Sequence, residues 1–254
     1  MGLAVELKNV GLTYQSIDSE TKALDNISLE IENGEFTAFI GPSGCGKSTL
    51  LSIIAGLIAP TNGDVLVMGK TVSAPGEEAG YMLQRDNLLE WRSARQNAML
   101  GLQIKRKCTD DALRRIDEMF DDYGLSSFRQ SKPHELSGGM RQKVALIRTL
   151  ALQPKLLLLD EPFSALDYQT RLTLCGEISE IIRSRRMTAI LVTHDISEAV
   201  SMADRAIVFT QRPAKIKRDM RLEFQSDIPM ERRNEKAFQD YFDLIWKELD
   251  AHAC

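Results

Sequence analysis

Apolar and polar residues alternate in the first part of the chain, then give way to continuous apolar runs. Residues 4–10 (AVELKNV) and 24–32 (LDNISLEIE) alternate with period two, which predicts half-buried strands. Asn33-Gly34 predicts a turn into a short apolar strand, Phe36 to Ile40. LLSIIAGL (50–57) is long enough for a helix, and Ala59-Pro60-Thr61-Asn62-Gly63 breaks it. A strand over 65–70 (VLVMGK), a loop over 73–80 and a short strand over 80–84 follow, and residues 85–101 read as irregular. Thr109, Asp110 and Asp111 predict a helix start, Leu113, Ile116, Phe120 and Tyr123 its apolar stripe, and Gly124 its stop. LSGGMRQ (136–142) predicts another helix start, with Met140, Val144, Ile147 and Leu150 at helical spacing. LLLLD (156–160) is a continuous apolar run, the pattern of a parallel strand buried on both faces. Then come a helix over about 168–184, a strand over 188–195, a helix (ISEAVSMA) and a strand over 205–209. Residues 211–233 are basic and polar with two prolines, and 234–250 predict an amphipathic helix with Phe238, Phe242, Ile245 and Leu249 on one stripe, which suits either packing on the same domain, the favoured reading, or meeting a partner.

This order predicts an α/β fold in which a small antiparallel sheet feeds a parallel one. The mainly helical stretch from about 85 to 152 interrupts the strands as an inserted subdomain would. With 254 residues and 43% hydrophobic content, one domain with a subdomain is expected.

The chemistry centres on GPSGCGKSTL (41–50), which fits G-x-x-x-x-G-K-[ST] with Gly41, Gly46, Lys47 and Ser48. A strand precedes it and a helix follows, the context of a phosphate-binding loop. Its glycines leave backbone N–H groups free to curl round a phosphate, and the positive end of the helix points the same way. Lys47 would reach the β/γ-phosphates and the Ser48 hydroxyl would hold Mg²⁺. Asp160 emerges at the C-terminal end of a central strand, where open α/β sheets bind ligands. Tyr14 suits either the core or a stack on a base. Ser137, Gly138 and Gly139 suit either an ordinary capped helix or a second anion site. A lone His194 at a strand end is ordinarily a hydrogen-bonded structural residue.

Composition then removes alternatives. The net charge of -4 argues against a broad nucleic-acid footprint, and no apolar run approaches a membrane span. The N-terminus lacks the pattern of a signal peptide, and Glu6 breaks the myristoylation motif. Cys45, Cys108, Cys175 and Cys254 lack metal spacing and read as free cytosolic thiols.

With the phosphate loop, LSGGMRQ and LLLLDEP in this order, the chain resembles the ATP-binding subunits of ABC transporters from Leu3 to about Phe224. The resemblance implies a RecA-like P-loop NTPase core with an N-terminal antiparallel β subdomain. Residues 4–230 would form the ATPase domain and 231–254 a C-terminal amphipathic helix and tail. It also implies ATP and Mg²⁺ as cofactors. Tyr14 would stack on the base, and Gly41, Pro42, Ser43, Gly44, Cys45, Gly46, Lys47, Ser48 and Thr49 would cradle the phosphates. Gln84 would touch Mg²⁺ and the attacking water and sense the membrane subunits. Asp160 would support Mg²⁺, Glu161 would be the catalytic base, and His194 would contact the γ-phosphate. Residues 164–167, ending in Asp167, would be a dimer-contact loop, and Ser137, Gly138 and Gly139 would close over ATP bound by a second copy in a head-to-tail dimer.

Within that family, NLLEWRSARQN (87–97) and the tail from Arg212 to Leu249 resemble the nitrate, sulfonate and taurine importer ATPases, with Glu90 where proline is usual. The implied function is ATP hydrolysis that energises uptake of a small anionic solute. Its partners would be two transmembrane permease subunits and, indirectly, an external solute-binding protein. The location would be peripheral, on the cytoplasmic face of the membrane. The alternative is a non-transport ABC ATPase of iron–sulfur assembly. A chromosome-organising ATPase would need a long insertion between Lys47 and Ser137, and an interval of 137 − 47 = 90 positions leaves room only for the helical subdomain.

Overall fold

The computed structural model describes residues 2–16 and 19–250. Cys254 and the end of the tail (251–254) lie outside the described residues. The chain begins with two long antiparallel strands, β1 (Leu3–Gln15) and β2 (Glu20–Glu32), longer than the alternating segments that predict them. β3 (Phe36–Ile40) follows the Asn33-Gly34 turn and leads through the glycine loop into α1 (Lys47–Ile54).

β4 (Asn62–Val67) starts inside the segment read as a breaker and stops before residue 70. Met68 (φ +50°) and Gly69 (φ +74°) turn the chain there into β5 (Lys70–Thr71), so the expected 65–70 strand is a hairpin. These strands form an antiparallel sheet in the order β2-β1-β4-β5.

After β6 (Ala79–Met82) come α2 (Ala94–Ala98), α3 (Leu100–Ile104), α4 (Asp110–Asp122) and α5 (Gly138–Leu150). α2 and α3 fall across a stretch the sequence reads as irregular. A capping box explains α2: the Ser93 side chain accepts the Gln96 N–H, and Gln96 Oε1 accepts the Ser93 N–H at 2.9 Å. Asn97, fully buried, bonds Leu89 through both its N–H and its carbonyl. On α4 the buried positions are Ala112, Ile116, Met119 and Phe120, so the stripe sits slightly to one side of the expected Leu113.

β7 (Leu156–Asp160), α6 (Tyr168–Ser184), β8 (Thr188–Thr193), α7 (Ile196–Met202) and β9 (Arg205–Phe209) restore the strand–helix alternation. The second sheet runs β10-β9-β3-β8-β7-β6 and is parallel from β9 to β6. β10 (Ile216–Arg221) is an antiparallel edge strand in the stretch read as polar. Its charges suit an edge, where the outer backbone groups meet water. α8 (Pro229–Arg232) and α9 (Lys236–Asp250) end the described chain, and α9 packs on α7 and β9 through a buried Ile245.

The parallel sheet divides two cores. Along β7, Leu157 and Leu159 join the cluster under α5, α6 and α7, while Leu156 and Leu158 join the cluster shared with α1 and the first sheet. Period-two alternation in a strand buried on both faces produces this split. The C-terminal ends of β3, β6, β7 and β8 therefore open on one side, between the two cores.

Candidate active site

The loop between β3 and α1 turns on glycine. Gly46 (φ +126°) adopts a backbone that side chains rarely take, and a Cβ there would lie 2.9 Å from Leu24 Cδ2. Lys47 opens α1 and is buried. Its ammonium donates to the carbonyls of Gly41 (2.7 Å) and Pro42 (2.9 Å) and lies 3.8 Å from Cys45 Sγ. Cys45 is buried as well. A Cβ on Gly41 would come within 3.1 Å of its sulfur, so the small thiol fills the space inside the loop.

Ser48 Oγ donates to Asp160 Oδ1 at 2.7 Å. Asp160 Oδ2 accepts from the Tyr81 hydroxyl at 3.0 Å. Burial raises the Asp160 carboxyl above the usual carboxylate range, and the hydrogen bonds from Ser48 and Tyr81 pull the other way. Burial also pushes the Tyr81 phenol up, so it stays a donor at neutral pH.

Glu161 follows with φ +45°, its N–H donating to Val192 O at 2.9 Å. That left-handed conformation costs a non-glycine residue about 1–2 kcal/mol, and it turns the carboxylate out of the sheet. Glu161 Oε2 accepts from Gln84 Nε2 at 3.2 Å, and Oε1 lies 3.3 Å from His194 Nδ1. Gln84 follows β6, Glu161 follows β7 and His194 follows β8. Three neighbouring parallel strands thus deliver one polar cluster at their C-terminal ends.

Tyr14 stands half-exposed near the end of β1, its hydroxyl 3.2 Å from Thr49 Oγ1. A cleft of about 130 Å³ is lined by Tyr14, Lys47, Ser48, Thr49, Glu161 and Arg212, among others. Gly41, Pro42, Ser43 and His194 border an adjoining groove against α9.

Ser137, Gly138, Gly139 and Asp167, also expected at the site, lie at the starts of other helices instead and are absent from the lining of both this cleft and the adjoining groove. Ser137 caps α5, its hydroxyl accepting the Met140 N–H at 3.3 Å, with Gly138 and Gly139 in the first turn. Asp167 caps α6, accepting the Thr170 N–H at 3.0 Å, and hydrogen bonding to Thr170, through its side chain first and its backbone second, holds the Asp167 carboxyl below the usual range.

Two neighbours were not foreseen. Tyr81 lies on the period-two face of β6 opposite Met82, which was the available signal for an inward polar tip. Arg212 donates to Gly44 O at 2.8 Å from a segment read only as basic, and nothing local marks it.

A buried lysine inside a strand–loop–helix turn, beside a hydroxyl held on a strand-end aspartate, is the arrangement of a nucleotide-hydrolysing P-loop protein. Comparison with known proteins narrows that class. Residues 24–164 match the model of the ABC transporter family. The chain belongs to that family and is an ATP-binding, ATP-hydrolysing member of it.

It is 44% identical to the uncharacterized ABC transporter ATP-binding protein YtlC of Bacillus subtilis (strain 168), over 97% of this chain and 96% of the relative. It is 36% identical to the taurine import ATP-binding protein TauB of Jannaschia sp. (strain CCS1), over 96% and 94%. It is 38% identical to the nitrate import ATP-binding protein NrtD of Synechocystis sp. (strain ATCC 27184), over 88% and 84%. Among solved structures, the dimeric post-hydrolysis state of the ATP-binding cassette MJ0796 bound to ADP and Pi aligns with a TM-score of 0.76 at 32% identity, covering 87% of this chain and 99% of that one.

Proposed function

We propose that this chain is the ATPase subunit of an importer for a small anionic solute of the sulfonate or nitrate kind. The observation that carries the catalytic part is the convergence of Gln84, Glu161 and His194 beside the P-loop. Support for import comes from the full-length similarity to ATPases named for taurine and nitrate import.

In this reading, Lys47 and the loop amides offset phosphate charge. Glu161 orients a water and takes its proton, which needs no covalent chemistry. Gln84 and His194, both on the Glu161 carboxylate, hold it in position. Tyr14 stacks on the base.

The Ser48 and Asp160 oxygens, 2.7 Å apart, are the hard donors that Mg²⁺ takes, with phosphate and water completing its shell. Ser48, Asp160 and Gln84 would hold the ion, which supplies charge neutralisation at the phosphates. Among the described residues no cluster of three or more His, Cys, Asp or Glu forms a protein-only metal site.

Ser137, Gly138 and Gly139 of a second copy would cover the nucleotide in a head-to-tail dimer, and Asp167 would lie in its contact loop. Two permease subunits would provide the membrane path, since no helix among the described residues is long and apolar enough to cross a membrane. A solute-binding protein would deliver the solute outside, and the chain would sit peripherally at the cytoplasmic face. Residues 4–230 would act as the ATPase domain with its helical subdomain at about 85–152, 231–254 would be the C-terminal helix and tail, and the stretch from Arg212 to Leu249 would meet the permease.

Glu161→Gln tests the core of this reading. ATP binding should be retained, ADP release should fall about 10²–10⁴-fold, and ATP should shift the variant to a dimer on size-exclusion chromatography. Hydrolysis at the wild-type rate would overturn the assignment of the base.

A further inference from the structure

His194 reaches Glu161 from a short turn between β8 and α7, and its ring is more than half exposed. Its placement therefore depends on the backbone on either side. Thr193 Oγ1 donates to Glu198 Oε2 at 2.6 Å and accepts the Asp195 N–H at 3.0 Å. Asp195 Oδ1 accepts the Ser197 N–H at 2.8 Å, capping α7. Its other oxygen accepts from Arg171 Nη1 at 3.2 Å.

Arg171 lies in the first turn of α6. It also donates Nη2 to the carbonyl of Leu166 at 3.1 Å, and its Nε lies 3.7 Å from Glu198 Oε1. One planar guanidinium thus touches the 164–167 loop, the residue after His194, and the buried carboxylate that holds the residue before His194. A lysine ammonium has no fixed fork with which to span three such partners.

We propose that Arg171, Thr193 and Glu198 are positioning residues that hold the His194 ring on Glu161 and couple its placement to the 164–167 loop. Displacement of that loop pulls on Leu166 O, rotates the guanidinium, and releases Asp195 from one side of His194. The linkage lets the state of the contact loop reach the catalytic carboxylate within one chain. It rests on the role given above to His194.

The test measures kcat and KM for ATP with the full chain carrying Thr193→Val, Thr193→Ser, Arg171→Met and Arg171→Lys, each also combined with His194→Ala. Slow turnover is read over hours with labelled ATP. Thr193→Val keeps the side-chain shape and removes the hydroxyl, so it and Arg171→Met should lower kcat about 10–100-fold and leave KM within about threefold. Thr193→Ser should restore kcat to within about threefold of wild type, and Arg171→Lys should not. In the His194→Ala background, Thr193→Val and Arg171→Met should each cost no more than about twofold, because residues that act as a unit are not additive.

Undiminished losses in that background, or wild-type kcat in Thr193→Val, would overturn the proposal. Wild-type kcat in His194→Ala would instead overturn the role of the histidine, so the two failures are distinguishable.

Discussion

Replacing Tyr81 by phenylalanine removes one of two side-chain hydroxyls that hold Asp160, and leaves the ring. Asp160 is 7% exposed, and each carboxylate oxygen has one side-chain donor, Ser48 on Oδ1 and Tyr81 on Oδ2. A hydrogen bond to a charged group contributes about 1.5–3 kcal/mol, and one to a neutral group about 0.5–1.5 kcal/mol. The loss should therefore depend on the ionisation of Asp160.

Burial raises the native pKa of this carboxyl above its unfolded value. Between the two values the native state binds a proton that the unfolded chain has lost, so stability from this group falls as pH rises through that window. Tyr81→Phe withdraws a bond that favours the charged form, so it widens the window upward. Urea unfolding followed by circular dichroism should show destabilisation of about 1.5–3 kcal/mol at pH 8, shrinking toward the neutral-bond value as pH approaches the ordinary aspartate range. A loss of the same size at both ends, or one that grows in acid, would refute the argument that Tyr81 acts on an ionised Asp160.

Glu198 gives a second pH signature. Burial pushes its carboxyl up to about 7 from an ordinary 4.5, so native stability should fall as pH rises across that interval, and 7 − 4.5 at about 1.36 kcal/mol per unit sets a ceiling of about 3 kcal/mol. Glu198→Gln should flatten this slope, and urea melts at pH 5 and pH 8 that keep it would show that another group is responsible. Gly139→Ala would place a Cβ 2.6 Å from Thr170 Cγ2, and overpacking of this kind costs about 1–3 kcal/mol. Thr170→Ser, which deletes that methyl, should recover most of the loss in a thermal melt of the double variant, and no recovery would place the cause elsewhere.

The parts of the fold most legible in the sequence are those whose signal is local. The run Leu156 to Asp160 marks a doubly buried strand because both faces must be apolar until the strand end, where Asp160 meets the site, and it spans β7 from end to end. The helix over 168–184 and the strand over 205–209 also match α6 and β9 at both ends. β10 was hidden because this edge strand buries none of its positions fully, and Lys217, Arg218 and Asp219 mask any alternation. α2 was hidden because five residues cannot display a helical period, although Ser93 and Gln96 carry the capping signal. Tyr81 and Arg171 were missed for another reason. Their partners lie 79 and 24 residues away along the chain, and periodicity states which face a residue takes but not what waits there.

The first turn of α6 draws these observations together. Asp167 caps it, Arg171 runs from it to Leu166 and Asp195, and Thr170 sits where a Cβ on Gly139 would have to go. A Cβ on Gly138 would likewise touch Leu166 at 3.4 Å. The start of α5, the 164–167 loop and the turn carrying His194 therefore all bear on one turn of helix. Packed interiors respond to displacement by shifting as blocks rather than by yielding smoothly. In the proposed dimer, the start of α5 and the 164–167 loop meet the second copy, while His194 meets the nucleotide of its own chain. A rigid turn contacting all three gives each nucleotide site a direct route to sense whether the second copy is seated. The phosphate loop and its nearby Glu161 do not supply that information on their own.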